Sequence, residues 1–143
     1  MPSFTGLRFT YLYHDSDIIE LRIVAYNGMF GGTTNVYVGV GGLHEAVAAL
    51  SDFPNSRDDA REFVFGAFGP NWAGGAVRLQ LYRKDLAGHV FLQATIEEDF
   101  NRKDANQSAV VIADFELAAL DRFLIELQSV EENLSGNAEL KFS

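Results

Sequence analysis

The sequence predicts an α+β fold, in which an antiparallel sheet of about six strands carries two helices on one face. Three observations predict it. Several segments alternate β-branched or aromatic residues with polar ones, the mark of strands with one buried face. Two others repeat apolar residues at intervals of three and four, the mark of helices. The two helical stretches also follow similar strands and lie 74 positions apart, with Leu43 matching Leu117 and Leu50 matching Leu124. The fold therefore reads as a pseudo-repeat of a strands-then-helix unit. At 143 residues, the chain fits a single α+β domain spanning 1–143, large enough to hold a core without disulfides or metals.

Taken in order, Leu7–Tyr13 and Ile19–Ala25 are strands, joined by the turn His14-Asp15-Ser16-Asp17 into an antiparallel hairpin. Asn27 to Gly32 is a glycine-rich loop, and Asn35–Val40 is a third strand with its valines on one face. A helix runs from Gly42 to Asp52 and stops before Pro54, which cannot continue the hydrogen-bond ladder. Pro54–Asp59 is a connector. From Arg61 to Phe68 two signals compete, a helix-start box at Ser56-Arg57-Asp58-Asp59 and the strand character of Phe63-Val64-Phe65, with strand favoured. Gly69–Gly75 is a loop around Trp72. A second hairpin pairs Ala76–Arg83 with His89–Glu97 through the turn Lys84–Gly88.

Glu98–Gln107 is polar and reads as a surface excursion, followed by a strand at Ser108–Ala113. Asp114 is placed to cap the second helix, whose stripe is Leu117, Leu120, Phe123, Leu124, Leu127 and Val130. Ala138–Phe142 alternates and is either a short edge strand or a tail.

Twenty acidic and eleven basic side chains give a net charge of −9, which repels phosphate backbones and anionic lipid. Neither nucleic acid nor membrane is an expected partner. No stretch approaches the roughly 18 apolar residues of a membrane span, and the first residues lack a signal-peptide pattern. A soluble, cytoplasmic protein is expected. The absence of cysteine excludes thiolate chemistry and cysteine-ligated metals.

Catalytic and cofactor signatures are weak. Gly39-x-Gly41-Gly42 opens a helix but lacks the third glycine of a dinucleotide fingerprint and the Lys-Ser/Thr of a P-loop. It reads as a tight strand-to-helix turn. His14, His44 and His89 are dispersed and match no local metal spacing. No cofactor, metal or catalytic residue is assigned. The strand period points instead to binding. If Leu21, Ile23, Val36, Val38, Val40, Val77, Leu79, Leu81, Val90 and Leu92 face the helices, the opposite face carries Arg22, Tyr26, Tyr37, Arg78, Tyr82 and Phe91, residue types enriched in interface hot spots. A competing reading places a small-ligand or enzymatic cup around Phe68, Trp72 and His89.

Asn71-Trp72-Ala73-Gly74, Asp85-Leu86-Ala87-Gly88-His89-Val90 and the leucine-rich helix Asp114–Leu127 together resemble a family of small uncharacterised bacterial proteins. Its pattern is a Trp-x-Gly loop, an Asp-x-x-Gly-His-Val turn and strand, and a leucine-rich terminal helix. The family is loosely linked to immunity proteins that neutralise bacterial toxins. The resemblance implies binding without catalysis, to a protein partner or to a second copy of the chain, with His89 in a structural role.

Overall fold

In the computed structural model, which describes residues 4–83, 89–99 and 106–143, eight strands form two antiparallel sheets of four rather than one sheet of six. Three strands open the chain, β1 (Gly6–His14), β2 (Ile18–Tyr26) and β3 (Gly31–Gly39), and helix α1 (Gly42–Leu50) follows. Then come β4 (Arg61–Gly66), β5 (Ala76–Arg83), β6 (Val90–Glu97), β7 (Ser108–Phe115), helix α2 (Leu117–Asn133) and β8 (Asn137–Lys141). The first sheet has the order β3-β2-β1-β8 and the second β4-β5-β6-β7. Strands β4–β7 and α2 are thus one contiguous strands-then-helix unit. The other unit has β1–β3 and α1, with its fourth strand, β8, supplied from the far end of the chain.

The repeat is real in outline but its spacing is 77 positions, not 74. Leu43, Ala46 and Leu50 are the buried positions of α1, and the residues 77 positions on, Leu120, Phe123 and Leu127, are among the six buried positions of α2. Leu117 is 39% exposed on the first turn, so it does not match buried Leu43. The turn into α1 is made by Gly41 at φ 91°, left-handed backbone that glycine adopts at no steric cost. Asp114 does not cap α2: β7 runs on to Phe115, and Glu116 is the N-cap with no side-chain cap bond.

Strand parity came out as expected at nearly every position. Leu21, Ile23, Ala25, Val36, Val38, Val77, Leu79, Leu81, Val90, Leu92, Ala94 and Ile96 are all buried. Val40 is not, because β3 ends at Gly39 and leaves Val40 64% exposed. Ala138 and Leu140 bury the inner side of β8, so the C-terminal segment is an edge strand.

The inner faces of both sheets and the apolar sides of both helices share one core. Strand β3, at the edge of the first sheet, touches all four strands of the second and so lies across them. Helix α1 packs on β3 and β4, α2 on β8, and the helices on each other. At the centre, the Phe9 ring meets Phe65 at 4.7 Å and Phe123 at 5.4 Å, both edge-on, the geometry the ring quadrupole favours. The turn Lys84–Gly88 and most of the Glu98–Gln107 excursion lie outside the described residues.

Candidate functional site

With two sheets, the outward aromatic and arginine side chains divide into two groups. On the first sheet, Arg22 Nε donates to Asn35 Oδ1 at 3.2 Å, across a direct β2–β3 pair. The Tyr26 hydroxyl donates to the Gly28 carbonyl at 3.1 Å. The half-buried Tyr37 ring lies on Gly74, where a Cβ would come within 2.7 Å of it. On the second sheet, Arg78 stands 4.0 Å from Glu62 and 5.6 Å above the Phe68 ring. Tyr82 and Phe91 are cross-strand partners with ring centroids 4.8 Å apart. Both groups face away from the shared core, on different sheets, so the six residues do not form one docking face.

The proposed cup does not assemble. Trp72, 60% exposed, sits on the loop before β5, and exposed His89 sits just before β6. Because Ala76 pairs with Glu97 while Arg83 pairs with Val90, these two residues lie at opposite ends of β5, about 25 Å apart along eight residues. A hollow beside His89 is lined by Asp114, Phe115 and Glu116 and includes neither Phe68 nor Trp72. Among the described residues, no group of three or more His, Asp or Glu side chains could hold a metal ion.

A different cluster emerges where the free edges of the two sheets meet. Asn27 builds it. Its Oδ1 accepts the Met29 and Phe30 N–H groups at 2.9 and 2.8 Å, closing the hairpin loop. Its Nδ2 donates at 2.9 Å to the Ile112 carbonyl on β7. One side chain thereby fixes the shape of the β2–β3 loop and pins it to the second sheet. The loop carries Met29, 84% exposed, and Phe30, 62% exposed, beside β7, whose outward Val110 and Ile112 are each 50% exposed. Gly32 lies over the second sheet, where a Cβ would make ordinary van der Waals contact with the Ala109 Cβ and Ile96 Cδ1, each 3.4 Å away.

Two hollows flank this start of β3. One, of about 530 Å³, lies on the outer side of the sheet against Val24, Tyr26, Met29 and Thr33. The other, of about 360 Å³, lies between the sheets and is lined by Gly31–Thr33, Ile96, Glu98 and Gln107–Ala109. Glu98 Oε1 is buried and has no hydrogen-bond donor among the described residues.

Arg61, Asp59 and Asp15 hold local structure elsewhere. Arg61 Nη1 donates to the Ala49 and Ser51 carbonyls at 3.0 and 2.7 Å, at the end of α1, where a cation offsets the unpaired carbonyls. Its Nε and Nη2 grip Asp59. The Arg61 side chain and the Asn55 N–H hold the Asp59 carboxyl below its ordinary pKa, and Asp59 raises that of Arg61. Asp15 is likewise lowered, by the Asp17 and Ile18 N–H groups that close the first hairpin.

The loop cluster escapes pattern reading because loop residues have no period. One signal was present in the sequence: Ala109–Ala113 is apolar on both faces, which a half-exposed strand does not require. Comparison of the chain with family models, curated proteins and solved structures gave no match. Among the described residues, no helix is long and apolar enough to cross a membrane.

Proposed function

We propose that this chain is a non-catalytic protein-binding module, immunity-like in the sense that it acts by holding a protein partner. The observation that carries the reading is the exposure of Met29 and Phe30 on a loop that Asn27 pins to β7, the strand whose outward Val110 and Ile112 are also exposed. Large apolar side chains left exposed around one junction of a fold mark a place where a partner can bind. Methionine and aromatic residues at such a patch are those that interface cores favour. The net charge of −9 adds long-range attraction for basic partners.

The test is crosslinking capture from an extract of the source cells, comparing the wild-type chain with Met29→Asp, Ile112→Asp, Tyr37→Ala and Tyr82→Ala. A specific crosslinked partner that is lost with the two aspartate variants and kept with the two tyrosine variants supports the reading. Retention in Met29→Asp and Ile112→Asp, with circular dichroism showing intact folds, removes it.

A further inference from the structure

We propose that the corner between β3 and β7 takes an extended, lysine- or arginine-bearing segment of the partner protein, added as a new strand to the edge of the first sheet. This deepens the protein-binding reading and rests on it.

Backbone parity comes first. The Asn35 carbonyl accepts the Gly75 N–H at 2.7 Å, so the odd residues of β3 turn their polar groups away from β2. Gly31 and Thr33 share that parity, and among the described residues nothing pairs with their outward N–H and C=O groups. Three positions on the other edges carry a cover. Ile112 and Asp114 of β7 give their carbonyls to Asn27 and to the Ser143 N–H, and Glu126 accepts the Glu139 N–H of β8. Unpaired edge groups beside an apolar patch are the template on which β-augmentation works.

The two hollows then dictate the side chains. An added strand sends successive side chains to opposite faces. One set enters the outer hollow against Val24, Tyr26 and Met29, a site for an aliphatic or aromatic group. The alternate set enters the hollow between the sheets, where Glu98 Oε1 is buried without a donor. A buried carboxylate oxygen left unsatisfied is costly. A lysine or arginine arriving there supplies the missing charge-assisted hydrogen bond. The recognised pattern is therefore apolar-basic-apolar on an extended main chain.

The probe is an alternating lysine–valine peptide of about eight residues, blocked at both ends and titrated into the isotopically labelled chain while amide resonances are followed. Expected are shifts at Gly31, Thr33 and Glu98. Glu98→Gln should weaken binding about tenfold, the effect of losing a charged hydrogen bond. A peptide N-methylated at its valines, and one with glutamate in place of lysine, should not bind. Four results overturn the proposal: no shifts at millimolar peptide, equal affinity in Glu98→Gln, equal binding of the N-methylated peptide, or shifts centred on Tyr37 or Tyr82. Concentration-dependent shifts at the same amides without peptide would assign the groove to a second copy and also overturn it. If the peptide fails while Met29→Asp still loses its crosslinked partner, strand addition falls and the protein-binding reading stands.

Discussion

Replacing Glu131 with leucine should make the protein more stable. Glu131 belongs to the buried side of α2 and is only 9% exposed, and neither carboxylate oxygen has a hydrogen-bond partner among the described residues. A buried acceptor left unpaired costs about 1–3 kcal/mol, and a buried leucine side chain contributes about 1.5–3 kcal/mol where it fits. Imperfect fit in a packed core returns part of that gain. A net stabilisation of about 2 kcal/mol follows, equivalent to a rise in Tm of about 6 °C for a chain this long. Glu131→Gln, which removes the charge but keeps a polar group, should recover about half. The assay is urea and thermal unfolding followed by far-ultraviolet circular dichroism, since the single Trp72 lies on an exposed loop and reports the core poorly. A leucine variant that is unchanged or less stable would refute the reasoning, because the carboxylate would then have to be stabilised in place.

Phe9→Ala should cost about 3–5 kcal/mol in urea unfolding, because its ring joins β1 to Phe65 of the second sheet and Phe123 of α2; a loss under about 1 kcal/mol would separate the two sheets energetically. Arg61→Ala should destabilise by about 2 kcal/mol, read by the same melts, since it frees the Ala49 and Ser51 carbonyls and Asp59 together. Asp59 and Asp15 have lowered pKa values in the folded state, so their stabilisation is present above the ordinary carboxylate value of about 4 and is lost as pH falls through the folded value. Urea midpoints should therefore drop below about pH 4, and Asp59→Asn should flatten that drop. Asn27→Ala should uncover the Ile112 carbonyl and loosen Met29 and Phe30, raising concentration-dependent light scattering; unchanged scattering would show that the β7 edge needs no cover.

Much of the fold is legible because one face of each strand is buried. Leu21, Ile23, Leu79 and Leu92 announce their side by parity alone, and the stripe from Leu120 to Val130 does the same for α2. Parity tells which way a side chain faces, not which sheet its strand joins. Two sheets sharing a core leave the same alternation as one sheet under helices, and β1 pairs with β8 from the far end of the chain, a long-range choice with no local mark. Gly31 and Gly32 read as loop because glycine lacks strand propensity, yet they lie in β3 where Ala109 comes close. Asp114 resembled a cap because only the residues of β7 beyond it show that the strand continues. The Tyr and Arg residues faced outward as expected, but their division between sheets followed from the missed topology. The corner cluster rests on Asn27, whose importance lies in a bond spanning 85 positions of chain.

Strand β8 lies antiparallel to β1, with the Phe142 N–H reaching the Thr5 carbonyl at 3.4 Å. A short linker from Ser143 to the first residues, with the backbone cut between α2 and β8, would yield a circular permutant. Its order would be four strands and a helix, twice over, with each half contiguous in the gene. Such a rearranged chain lets each half be expressed alone, asking whether the crossing of β3 over the second sheet is made by partners already formed.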